Sequence, residues 1–304
     1  MQKILEKTTY HAVYDESVMD ALRFARTNGF AGVQLAMEVP HLSHERLSTS
    51  QRDAIGRYRE EHNLRISLHP PDFSCSLVEC SRVLTQGIQT YYQDLFDFAE
   101  DIGAKIVVLH LGALPTFSTD TQPSVAYPEQ SRQFALESLN ANLRRIINLA
   151  DGRLTLAVEN FQLTPDRMSL LGPLLGQQGL SLCWDLAKTY RKPATAGKGA
   201  TAKPSSGAAV PNTKNLPTPA LEIDPTIEKF FWSNLKHVKQ VHLHDIRDGQ
   251  GHRVIGSGQL DFMRFLPRLA AAAVMEYTIE VRPREKALES LQNLKKLLEP
   301  GHGA

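Results

Sequence analysis

Strand-like and helix-like segments alternate along almost the whole of this 304-residue chain. Short apolar runs predict strands at Thr8–Val13, Ala31–Ala36, Leu64–Leu68, Lys105–Leu109, Leu154–Val158, Leu180–Trp184, Val238–Leu243 and Tyr277–Val281. Amphipathic spacing predicts helices between them at Glu16–Asn28, Ser50–Asn63 (capped by Ser50), Gly87–Ile102, Glu129–Ala150, Asp166–Gln177, Pro225–Lys236 and Asp261–Ala272, with Arg284–Leu298 closing the chain. Runs such as IVVL, LTLAV and LSLCW are almost continuously apolar, as parallel strands covered on both faces must be. Eight such units in sequence predict an α/β fold, a (β/α)8 TIM barrel, as one domain over residues 1–304. A doubly wound open sheet uses the same alternation, but it would not gather many strand ends around one point.

The strand ends are where the chemistry concentrates. Six runs finish on a metal-capable residue: His69, His110, Glu159, Asp185, His242 and Glu280. Each alone has an ordinary explanation, since a strand-end Asp can cap the next helix and a loop His can simply be hydrogen-bonded. Together, in a fold whose active sites lie at the carboxyl ends of the strands, they predict a shared centre. Glu159, Asp185, His242 and Glu280 come from four successive strands and suit a divalent Mn, Mg, Co or Zn ion. His69 and His110 lie on the adjacent arc and can hold a second ion, with Glu159 as the bridge.

Composition narrows the partners. A formal charge of +1 gives no global electrostatic case for nucleic acid or an anionic membrane. Residues 1–30 carry no apolar signal-peptide core, and no run approaches the roughly 20 apolar residues of a membrane span. Three cysteines without metal-finger spacing do not make a disulfide framework. The expectation is a cytoplasmic protein, with outer barrel faces that leave room for a homo-oligomer. One stretch, Arg191–Ala220, breaks the pattern: it is rich in Pro, Gly, Ala, Ser and Thr, with five basic residues and no acidic one. It reads as a flexible insertion after strand six; as a lid, its charge would suit an anionic substrate.

Several phrases, in order and at consistent spacing, carry a family resemblance: SLHPP at 67–71, EDIGAKIVVLHLG at 100–112, AVEN at 157–160, CWDLAKTY at 183–190, VHLHD at 241–245, GSGQLDF at 256–262 and TIEVRP at 278–283. From about residue 8 to 298, excluding the insertion, the chain resembles the xylose isomerase-like barrel superfamily. That superfamily contains sugar and sugar-phosphate isomerases and epimerases together with endonuclease IV. The resemblance implies that Glu159, Asp185, His242 and Glu280 are metal ligands, and that His69 and His110 match endonuclease IV positions for an additional zinc. Two positions depart from endonuclease IV. Lys188 stands where it has a histidine three residues after the strand-six Asp, and Gln250-Gly251-His252 stands where its third zinc needs Asp-x-His.

The resemblance, with these residues, implies a metal-dependent isomerase or epimerase acting on a small carbohydrate or its phosphate. Glu159 and Glu280 form the proton-exchange pair, while His69 or His252 orients hydroxyls. Lys188, Arg247 and Arg282 are candidates to bind an oxyanion or phosphate. The rivals are an endonuclease IV-like phosphodiesterase, a lyase or related hydrolase on the same centre, and a non-catalytic binding module.

Overall fold

In the computed structural model, which describes residues 2–114, 128–191 and 221–299, the strands close on themselves. They are β1 (Thr8–Ala12), β2 (Gly32–Ala36), β3 (Arg65–His69), β4 (Ile106–Leu109), β5 (Thr155–Glu159), β6 (Leu180–Asp185), β7 (Val238–Leu243) and β8 (Glu276–Ile279). Every strand pairs in parallel with its sequence neighbour, and β8 returns to β1, so the barrel is closed. No helix among the described residues is long and apolar enough to cross a membrane.

The helices that cover the barrel are α1 (Val18–Asn28), α2 (Thr49–Glu61), α3 (Arg82–Ile102), α4 (Glu129–Ala150), α5 (Pro165–Leu171), α6 (Pro225–Ser233), α7 (Leu266–Ala270) and α8 (Arg284–Leu298). Several boundaries differ from the sequence expectation for identifiable reasons. The cap of α2 is Ser48, because Gln51 lies three residues on and closes a reciprocal capping box that Ser50 cannot form. The helix expected over Asp166–Gln177 stops at Leu171, where Gly172-Pro173 tightens the chain into a 3-10 turn. The helix expected over Asp261–Ala272 is a 3-10 turn, Phe262–Arg264, followed by α7, with Pro267 inside its first turn. Of the insertion, residues 192–220 lie outside the described residues; Arg191 belongs to a short antiparallel ribbon, paired with Glu222.

Successive strand residues alternate between two environments. Tyr10, Leu35, Leu68, Leu109, Val158, Trp184 and Leu243 join the large apolar layer between strands and helices. Ile106, Ala157 and Cys183 form a separate, much smaller cluster in the barrel interior. Apart from Ala36 and Val108, most of the remaining interior is polar. Toward its amino end, Glu276 Oε1 accepts hydrogen bonds from Thr9, Ser67, Gln240 and Thr278, and burial raises its pKa. A barrel filled with polar groups is stable only if they are paired, so this net is part of the fold as much as the apolar layer outside it.

Candidate metal centre

All eight strands, not six, send a polar side chain into one ring at the carboxyl end of the barrel. His69, His110, Glu159, Asp185, His242 and Glu280 stand there as the sequence predicts, and all are buried. β1 adds His11, whose Nδ1 is 3.4 Å from Glu280 Oε1. β2 adds Gln34, whose amide reaches His242 Nε2 at 3.1 Å. Sequence reading missed both because they lie inside their strands (TTYHA, GVQLA) and not at the ends.

The ring resolves into two neighbouring donor sets. Asp185, His242 and Glu280 bring one ligand atom each to within 4.8 Å of one another, and so do His69, His110 and Glu159. Glu159 stands between the sets. Its Oε2 is 2.9 Å from His110 Nε2, 3.4 Å from His242 Nδ1 and 3.7 Å from His69 Nε2. Its Oε1 accepts from the Lys188 ammonium, which also lies 3.1 Å from Asp185 Oδ2.

Local sequence explains why these atoms point inward. In CWDLAKTY, Asp185 Oδ1 caps the following turn by accepting from the N–H groups of Ala187 and Lys188 at 2.9 and 3.1 Å, while Oδ2 faces the centre. Trp184, pointing outward, donates from Nε1 to Thr189 Oγ1 at 2.8 Å and packs against Phe231 and Trp232, which anchors the far side of that turn. Asn160 of AVEN holds the Asp185 backbone both ways, accepting from its N–H at 2.8 Å and donating to its carbonyl at 3.0 Å. His244, overlooked in VHLHD, has its Nε2 3.2 Å from Asp185 Oδ2 and accepts the His252 N–H at Nδ1, 2.8 Å away. That tautomer leaves the Nε2 proton for the aspartate.

The donor atoms suit a divalent ion. His242 Nδ1 and Glu280 Oε2 are buried without a hydrogen-bond partner, a cost of roughly 1–3 kcal/mol each unless something fills the gap. Turning the Gln34 amide so that Oε1 accepts from His242 Nε2–H pairs both groups and leaves Nδ1 facing the carboxylates. On the other arc, His69 Nδ1 is 3.1 Å from the Pro70 carbonyl, and Asp72 Oδ1 is 3.1 Å from His110 Nδ1. The Pro70 carbonyl leaves His69 Nε2 for the Glu159 side, while Asp72 lies within ion-pair distance of His110 without a hydrogen bond and is a further residue the sequence reading did not find.

Electrostatics favour charged ligands. Burial opposes ionisation of Glu159, but the charges of Lys188, His110 and His242 outweigh it and hold the carboxyl well below its usual range. Glu280 is held low in the same way by His242, His11 and Lys188. Asp185 is lowered to about 2 despite burial, chiefly by His244 and Lys188. For His69, burial is outweighed by Glu159, Glu280 and Asp72, and its pKa rises to about 9, so it must give up a proton to hold an ion. His11 goes the other way: burial takes it down to about 3 even with Glu280 beside it, and it is a neutral ring.

The remaining predicted residues divide. Arg282 reaches the centre, with Nη2 3.5 Å from Glu280 Oε1 and 3.2 Å from His11 Nδ1. His252 stacks on His244 at 4.3 Å between ring centroids, and its Nδ1 is 2.9 Å from the Glu280 carbonyl. His244, His252 and Glu280 form a further group of donor atoms. Arg247 is exposed on the hairpin of Asp245–Arg247 and Gln250–Arg253. Lys188, expected at a substrate anion, lies against the Glu159 and Asp185 carboxylates.

The hairpin that carries His252 is held by Asp245. Its carboxylate accepts from the N–H groups of Ile246, Gly256, Gly258 and Leu260 at 2.8–3.0 Å. This explains GSGQLDF, since a Cβ at Gly258 would lie 2.4 Å from Asp245 Oδ1 and 2.1 Å from the Ile246 carbonyl. Asp245→Ala takes the acceptor from four N–H groups, of which that of Ile246 is buried, and is expected to lower unfolding free energy by about 2 kcal/mol or more, read by urea denaturation. Amide exchange should accelerate first at Gly256, Gly258 and Leu260; a loss under about 1 kcal/mol would show that the loop holds without the clamp.

The chain belongs to the xylose isomerase-like TIM barrel family, whose description fits residues 22–297. Among solved structures it is similar to a D-tagatose 3-epimerase-like protein, with 18% identity, 96% of this chain and 97% of the other covered, and a TM-score of 0.68. The 3-keto-D-glucoside 4-epimerase of E. coli superimposes at 13% identity, 96% and 98% coverage and a TM-score of 0.65. Endonuclease IV of Thermus thermophilus does so at 18% identity, 96% and 98% coverage and a TM-score of 0.62. At these identities the likeness shows the fold alone. No protein of curated function matches the chain in sequence.

Proposed function

We propose that the protein is a metal-dependent isomerase or epimerase of a sugar or sugar phosphate. The observation that carries this reading is the convergence of Glu159, Asp185 and Glu280, all held ionised, on His242 Nδ1 and the Lys188 ammonium. A divalent ion (Mn, Mg, Co or Zn) held by Asp185, His242 and Glu280, with Glu159 adjacent, would supply Lewis-acid polarisation of a carbonyl.

The chain's own residues supply the rest. Glu159 comes from β5 and Glu280 from β8, with two strands between them, so a flat substrate bound over the ring meets a carboxylate on either side. One carboxylate takes the proton next to the carbonyl, and the other, once it has taken a proton from solvent, returns one to the same carbon from the opposite face (epimerisation) or to the neighbouring carbon (isomerisation). His11, His69 and His252 line the rim as partners for hydroxyl groups, and Arg282 stands beside Glu280 as a donor to an oxyanion or phosphate.

Phosphodiester hydrolysis is the second reading, favoured by the His69–His110–Glu159 and His244–His252–Glu280 groups. A net charge of +1 and an exposed Gln250 in place of a carboxylate weigh against it. Solvent deuterium exchange into a panel of ketoses and their phosphates separates the two. Incision of abasic-site DNA without exchange would overturn the isomerase reading. The metal assignment has its own check: Asp185→Asn should lower bound divalent ion, measured by plasma mass spectrometry after dialysis, by roughly tenfold or more. Full retention would remove Asp185 from the site.

A further inference from the structure

We propose that Lys188 is a tethered cation that fills one of the two cation positions offered by the ring of strand ends, and thereby limits the centre to a single divalent ion. This rests on the metal reading above. The ammonium lies on Glu159 Oε1 and 3.1 Å from Asp185 Oδ2, one carboxylate from each donor set, so it occupies the gap between the sets. It is not a surface lysine that has drifted inward. Its backbone N–H is fixed on Asp185 Oδ1, the next residue is anchored to Trp184, and only a quarter of the side chain is exposed. Phe161 covers it, with Nζ 5.4 Å from the ring centroid, and the same ring stacks on His110 at 5.0 Å.

Charge balance gives the consequence. Glu159, Asp185, Glu280 and, at the edge of the ring, Asp72 bring four negative charges, and Lys188 and Arg282 bring two positive ones; with His69 neutral, the two negative charges that remain are what one divalent ion neutralises. A second divalent ion would leave a surplus of two positive charges in a buried ring, which a low-dielectric interior opposes strongly. Without the lysine charge, Glu159 is released to join His69 and His110, and the second donor set becomes available.

The test is a binding titration of metal-stripped wild type, Lys188→Gln and Lys188→Arg with Mn2+ and with Zn2+, reading ions per chain and Kd by equilibrium dialysis, with circular dichroism to check folding. Wild type and Lys188→Arg should take up one ion per chain. Lys188→Gln should take up two, with the first bound roughly 10- to 100-fold more tightly. Lys188→Met, which keeps the apolar stem against Phe161, serves as the second neutral variant if Lys188→Gln does not fold. Two ions in wild type, or equal number and Kd in the neutral variants and wild type, would overturn the role of Lys188 while leaving the metal reading intact. No uptake by any of the proteins would overturn both.

Discussion

Glu159→Gln and Glu280→Gln are each expected to lower hydrogen exchange between solvent and a ketose substrate by roughly 10³-fold, with the protein still folded. Glutamine keeps the size of the side chain and removes the group that can carry a proton. The two variants should differ in metal content, and that difference separates acid–base work from ligation. Glu280 belongs to the set with Asp185 and His242, so Glu280→Gln should lose both exchange and most of the ion. Glu159 Oε1 is held by Lys188, and the Asp185–His242–Glu280 set is complete without it, so Glu159→Gln should lose exchange while keeping an ion. Both quantities are read on the same samples, by mass spectrometry of the recovered sugar and by metal analysis. Wild-type exchange in Glu159→Gln would remove it from the proton-transfer pair, whatever its metal content.

The barrel and most of its centre were legible in the sequence because the strands end where chemistry begins. LTLAVE and LSLCWD place a carboxylate after an apolar run, and the fold requires such endings to meet. What was not legible has two causes. His11 and Gln34 lie within strands whose interior face is polar, so no boundary marks them, and the polar net around Glu276 is hidden for the same reason. His244, Asn160, Asp72 and Asp245 act through other residues, and their partners are far away in sequence. Lys188 is a special case. Its spacing three residues after Asp185 was visible, but only the turn capped by that same Asp185 shows that the ammonium folds back onto the carboxylates and not toward solvent. Local signals were also present and outweighed by others: the Ser48–Gln51 pair and Pro267 each marked a boundary that amphipathic spacing alone placed elsewhere.

In the metal-free protein, stability is expected to peak near pH 6.5 and fall on both sides, for reasons located in the ring itself. His69 is raised from 6.5 to about 9, so its contribution is fully present below pH 6.5 and is lost as pH rises through about 9. By linkage that loss amounts to roughly 3 kcal/mol. His11 is lowered from 6.5 to about 3, so the unfolded chain takes up its proton first, and stability falls as pH drops below 6.5. His44 and His252, also lowered by burial, act in the same sense. Below about pH 4.5 the carboxylates join. Glu159, Glu280 and Asp185 all have folded values beneath their ordinary 4.5 and 3.8, so their contribution is present above those values and lost as pH falls. Three protons taken up on unfolding correspond to a slope of about 4 kcal/mol per pH unit, steep enough for cooperative acid unfolding. Urea denaturation of metal-stripped protein from about pH 3 to 9 gives the profile, and two variants assign its limbs. His69→Gln should flatten the alkaline side, and His11→Gln should soften the fall between pH 6.5 and 4.5. A divalent ion should raise stability most on the alkaline side, where histidines no longer hold protons against it. A flat alkaline limb in the wild type would mean that His69 is not charged beside Glu159, and that this arc of the ring needs no proton to give way.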